Sequence, residues 1–227
     1  MLFQLLCETV YKCDHHAMST KNMRSGTKIE RRPRGRPRAF DPDDVLDRVR
    51  LVFMEKGFAA ASLDELAAAA DLNRPSLYAA FGDKERLYIA ALRWYAKRTL
   101  AALEAVLAKN APIERRLAEA YHAAIRLYTA PPTAPGCMII GTAATEAPTH
   151  PDIAEAARSL LADIENALER AFARAVSESE IAAKPSPRTR ARMAAALLDT
   201  LAIRARLRTP PATLESFAKL MVPSLCK

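Results

Sequence analysis

The chain has 227 residues, 50% of them hydrophobic and 26% charged, with 34 Lys and Arg against 26 Asp and Glu for a net charge of +8. That length allows one large or two modest domains, and the absence of any apolar run near the ~20 residues a bilayer demands excludes a membrane-spanning helix. With only 6 Gly, 6% aromatic residues and a hydrophobic fraction dominated by Ala, the strongest helix former, the composition calls for an all-α fold.

The opening segment MLFQLLCETVYK is apolar but lacks a basic leader and a cleavage site, so the chain reads as a soluble cytoplasmic protein. Cys7, Cys13, Cys137 and Cys226 are too scattered for a disulfide framework, in keeping with a reducing compartment. Cys7, Cys13, His15 and His16 match no metal-ligand spacing, and the expectation is a disordered leader with no metal and no cofactor. Met18 and Met23 are alternative starts.

The charge is unevenly placed. Residues 1–40 contain nine Lys and Arg and three Asp and Glu, a balance of +6, which leaves +2 for residues 41–227. Between Arg31 and Arg38 five of eight residues are Arg, spaced by Pro33, Gly35 and Pro37. The prolines favour extended backbone, and the Gly lets that backbone enter a narrow groove. Arg34, Gly35, Arg36 and Arg38 therefore fit the electronegative minor groove of A·T-rich DNA. Pro33 to Pro37 is similar to the core of an AT-hook. A solvated tail that binds any polyanion is the alternative.

A first helix opens at Asp41, an N-cap followed by Pro42 and the acidic pair Asp43-Asp44. Val45, Val49, Val52 and Phe53 form its apolar stripe, and Gly57 stops it. A second begins at Ser62, where Glu65 completes a capping box and Leu63, Leu66, Ala67 and Ala70 make one apolar face. Asp71-Leu72-Asn73 supplies a turn: Asp71 tolerates left-handed backbone, and Asn73 caps a third helix with Pro75 in its first turn. Leu77 and Phe81 bury one side of that helix, leaving Arg74, Ser76 and Tyr78 free to face a partner. Two short capped helices around a tight turn are the grammar of a DNA-reading helix-turn-helix.

Leu66-Ala67, Asp71-Leu72-Asn73-Arg74-Pro75-Ser76-Leu77-Tyr78, Phe81 and Lys84-Glu85, preceded by Gly57-Phe58, resemble the DNA-binding signature of the TetR/AcrR transcriptional regulators. The resemblance runs over residues 40–95. It departs at Asp71, where the family commonly has Gly, and at Ala79-Ala80, which replace bulkier residues and remove candidate contacts. It implies DNA contacts from Ser62, Asn73, Arg74, Pro75, Ser76 and Tyr78, with Lys84 on a phosphate.

A fourth helix starts at Asp83 or Lys84 and runs unbroken to about Ala108, with Leu87, Ala91, Trp94, Leu103 and Leu107 near one side. Proline then cuts the chain. One helix opens at Pro112 and ends in the Ala130–Gly136 loop, and a short apolar piece spans Cys137 to Ala147. A long seam follows from Pro151 to about Ser179, then helices after Pro187 and from Pro211 to Leu225. The total is about nine helices.

The expected organisation is a disordered basic arm at 1–39, a helix-turn-helix domain at 40–83 and a helical effector-binding and dimerisation domain at 84–227. The resemblance implies a homodimer that binds double-stranded DNA and responds to a small-molecule effector of unknown chemistry. It places Leu197, Leu201, Leu214, Phe217 and Met221 in the last two helices, the pair that usually dimerises. Trp94, Tyr121, Ile125, Tyr128, Cys137 and Phe172 are the pocket candidates, as aromatic groups with one polar edge. The leading reading is a ligand-responsive repressor on a palindromic operator. An architectural A·T-rich DNA-binding protein would leave the capped helix pair unused, and a helical enzyme lacks any nucleophile, base and orienting acid in a motif.

Overall fold

The computed structural model of the chain describes residues 40–130 and 136–227. The basic arm with Arg34, Gly35, Arg36 and Arg38, the Cys7–His16 group and most of the proline loop lie outside the described residues.

Nine α-helices are found among the described residues. Helix α1 (Pro42–Ala60) starts where Asp41 accepts the Asp43 N–H at 2.9 Å. Gly57, at φ 80°, breaks it as the sequence suggests, and one further turn, Phe58–Ala60, follows the kink. Helices α2 (Leu63–Ala69) and α3 (Arg74–Phe81) form the helix-turn-helix. Helix α4 (Lys84–Leu107) runs from this head into the body, about 36 Å at the α-helical rise. The body comprises α5 (Ile113–Tyr128), a π-helical turn at Ile139–Ala143 that runs into the single turn α6 (Ala144–Glu146), and α7 (Pro151–Ser177), α8 (Pro187–Arg206) and α9 (Pro211–Cys226).

Helix α4 packs on α1 at one end and on α7 further along, while α7 pairs with α8, and α9 packs on α5 and α8. One apolar core continues from Val45 in α1 to Leu225 in α9. The ridge that α4 buries is Leu87, Tyr88, Ala91, Leu92, Tyr95 and Ala96, while Trp94 and Leu103 are only partly covered. That corrects the stripe expected through Trp94, because α4 is gripped from two directions and its buried face is wider than one row.

Head and body are fastened by specific groups. Tyr88 lies edge-on to Phe53 at 4.9 Å and to Phe58 at 5.3 Å between ring centroids, and Phe58 also meets His150 of the body at 4.8 Å. The Tyr88 hydroxyl pairs with Thr142 Oγ1 at 2.6 Å inside the core. Arg206, near the end of α8, crosses Gly141 of the π-helical turn and donates to the Met54 carbonyl of α1 at 2.7 Å. A side chain at Gly141 would press on that guanidinium, since its Cβ would stand 3.4 Å from Nη1.

Candidate nucleic-acid interface

The head is built from local chemistry. The Ser62 hydroxyl accepts the Glu65 N–H at 3.3 Å, and the Glu65 carboxylate accepts the Ser62 N–H at 3.0 Å, closing the capping box. Lys56 of α1 also pairs with Glu65, and this contact above all holds the Glu65 carboxyl down at about 2. Asp71 adopts φ 54°, the left-handed backbone expected of it, and turns the chain between the two helices. Asn73 Oδ1 then accepts the Ser76 N–H at 2.8 Å and opens α3. Leu77 is buried under α3, whereas Arg74, Pro75 and Tyr78 are exposed and Ser76 is half-buried. An eight-residue helix thus presents Arg74 and Tyr78 on its open side, one turn apart.

The candidate DNA contacts divide into free and engaged groups. Tyr78 keeps 41% of its surface exposed. The Arg74 guanidinium is held by the carboxylate of Asp64 in α2. Ser62 spends its hydroxyl on the cap, donating to Glu65 Oε2 at 2.9 Å. Lys84 donates to the Ala59 carbonyl at 3.1 Å and lies 4.8 Å over the Phe58 ring, which clamps the turn after Gly57, and burial lowers its ammonium from the usual range. Sequence reasoning missed Asp64 and Lys56. Their partners lie nine or ten positions away across a turn, a spacing with no periodic signature.

In the body, Ile125, Tyr121 and Phe172 are fully buried, and Tyr121 donates to the Ala194 carbonyl at 3.0 Å. Tyr128 and Cys137 are buried too. Burial pushes the Cys137 thiol up, so it stays protonated and is a poor redox sensor. Trp94 stands apart, near the surface between Arg50 and Arg98, whose guanidinium carbons are 5.6 and 4.7 Å from its ring centroid. The expected pocket residues are therefore packed core, plus one half-buried indole. A groove of about 210 Å³ does lie between α4 and α7, floored by Ala96, Leu100, Leu160 and Ile164 and edged by Arg93 and Lys97. Among the described residues no helix is long and apolar enough to cross a membrane.

The dimer candidates need a similar correction. Leu197, Leu201 and Leu214 are at most 5% exposed and fill the chain's own core, while Phe217 and Met221 are partly covered. The outward face of α8 and α9 carries other apolar residues: Met193 is 45% exposed, Ile203 50%, Leu207 74% and Leu220 73%.

A kinked helix, a capped helix pair with a left-handed turn, and a long helix leading into an all-helical body define a helix-turn-helix DNA-binding regulator. Residues 45–91 match the family described as Bacterial regulatory proteins, tetR family, and residues 114–221 match the Tetracyclin repressor-like, C-terminal domain. The chain belongs to the TetR family and is a DNA-binding transcription regulator, not an enzyme. It is 34% identical over 156 residues to the HTH-type transcriptional repressor ComR of Escherichia coli (strain K12), covering 68% of this chain and 74% of ComR. It is also 34% identical over 128 residues to the repressor BdcR of the same organism, covering 56% of this chain and 65% of BdcR. Among solved structures, a cysteine mutant of the TetR family regulator CifR in complex with 26-bp double-strand operator DNA superposes with a TM-score of 0.76 at 28% identity, covering 83% of this chain and 99% of CifR. The reduced form of Escherichia coli NemR shares the fold, with a TM-score of 0.70 at 18% identity.

Proposed function

We propose that this protein is a cytoplasmic homodimeric repressor that binds a palindromic operator through residues 40–83 and is released when a small molecule binds its body, residues 84–227. The observation that supports the dimer is the set of large apolar residues left exposed on the last two helices and the turn between them, Met193, Ile203, Leu207 and Leu220. The need for it is geometric. Helix α3 is about 12 Å long and covers only a few base pairs, so a two-fold pair of heads on half-sites at fixed spacing supplies the missing contacts. The repressors ComR and BdcR, and CifR on its operator, support the same reading.

Arg74, Ser76 and Tyr78 read the major groove, with Asn73 and Pro75 setting the start of α3. The arm with Arg34, Gly35, Arg36 and Arg38 enters the adjacent minor groove. Phe40 supports this, because its ring packs on Phe81 at 6.4 Å and brings the chain into the fold beside the end of α3. The effector occupies the groove between α4 and α7, where it spreads the helix that carries the head.

Sedimentation of the full chain should give a dimer, and DNA selected from a random library should show two-fold symmetry. Leu220→Glu should yield monomers and lower operator affinity by orders of magnitude. A wild-type monomer, or selected sites without symmetry, refutes the proposal.

A further inference from the structure

We propose that Asp64 is a specificity-determining residue of the head, acting through Arg74; this rests on the reading of α3 as the base-reading helix. Arg74 is the first residue of α3 and sits at the positive end of the helix dipole. Asp64, in the first turn of α2, meets it with two contacts: Arg74 Nε donates to Oδ1, and Nη2 lies against Oδ2. This is the fork-to-fork pairing of a guanidinium with a carboxylate, and it fixes the plane of the group as well as its position. It occupies the Nε edge and leaves the Nη1–Nη2 end outside the pair, on a side chain that is 53% exposed. That end carries two parallel donors, the set that matches O6 and N7 of guanine.

Stability does not explain the pair. Arg74 and Asp64 are 53% and 71% exposed, and such surface pairs contribute little to folding. Nor does general attraction to DNA explain it. A carboxylate on the DNA-facing side of a body whose residues 41–227 carry a net charge of only +2 repels phosphates. What Asp64 supplies is orientation: it holds Arg74 in one rotamer before DNA arrives, so that the ordering cost falls on the protein and not on the encounter.

The two effects have opposite signs, and that makes the proposal testable. Using the full chain, fluorescence anisotropy at one salt concentration compares an operator selected from a random library with a scrambled duplex of equal length. Asp64→Ala should lower operator affinity about tenfold while leaving the scrambled duplex unchanged or bound more tightly. In an Arg74→Ala background the same change should leave the operator-to-scrambled ratio where Arg74→Ala puts it, and Asp64→Glu should restore most of the ratio. The helical melting curve serves as the control and should not move. If Asp64→Ala tightens both duplexes equally, Arg74 discards Asp64 on binding and the proposal fails alone. Lowering the ratio equally with and without Arg74 also overturns it. If Arg74→Ala leaves the ratio intact, the reading of α3 falls and takes this proposal with it.

Discussion

Arg190 offers a direct test of what holds the C-terminal helices together. It is 1% exposed in α8, and its guanidinium donates to five main-chain oxygens, that of Lys227 among them. Nε reaches Pro185 at 3.0 Å, and Nη1 reaches Leu225 at 2.6 Å. Nη2 serves Ala182 at 3.2 Å, Lys184 at 3.0 Å and Lys227 at 2.6 Å. Two of these carbonyls belong to the end of α9, where the helix dipole is negative and the last C=O groups have no intrahelical donor. Arg190→Ala strands all five, and charge-assisted bonds of this kind together with the desolvated acceptors left behind make the loss about 3–5 kcal/mol. For a fold of this size that corresponds to a melting temperature lower by about 10 °C. Arg190→Lys should recover less than half, since a single ammonium cannot reach both the Pro185 and the Leu225 sides. Circular dichroism melts with parallel urea titrations measure this, and hydrogen exchange should report the opening of α9 first. A shift under about 2 °C for Arg190→Ala would mean that water replaces the guanidinium at no cost, and the reasoning would be wrong.

Two further outcomes are expected. At Asp71, whose φ of 54° suits Gly, Asp71→Gly should be neutral or slightly stabilising, whereas the β-branched Asp71→Val should cost about 1–2 kcal/mol in urea unfolding. Asp199 has a carboxyl raised to about 6, first by burial and then by the nearby Glu165. Its folded state holds a proton that the unfolded chain has given up, so the ionised form penalises folding above about 6 and the penalty fades as pH falls towards 4. Asp199→Asn should therefore stabilise the protein at pH 8 and lose that advantage at pH 4, and equal effects at both would rule the mechanism out.

The head was legible in the sequence because its signals are local. Ser62 with Glu65, Asp71 in the turn, Asn73 before Pro75 and Gly57 at the kink each act within a few residues of themselves, and each does what its chemistry suggests. The all-α class and the proline-bounded helices of the body were legible for the same reason. Which way the body helices face was not. Helix α8 is apolar over one wide arc, with Leu197 and Leu201 buried and Met193 and Ile203 exposed, and periodicity alone does not say which part of that arc meets its own chain. Trp94 and Tyr121 looked alike as aromatic residues on amphipathic helices, yet one lies between two half-buried arginines and the other donates to a backbone carbonyl in the core. The pairing of Asp64 with Arg74 depends on how two helices turn on one another, and only the folded chain reveals it.

The fastening between head and body bears on modularity. Arg206 lands on the Met54 carbonyl, a backbone group that any residue would offer at that position. The Phe58, Tyr88 and His150 rings fit one another by shape. A chimera that exchanges heads at the start of α4 would keep the first attachment whatever its donor, but the second only if the incoming kink carried a ring in place of Phe58. The ring at position 58 would thus decide which heads fit this body, while the arginine strap would accept almost any of them.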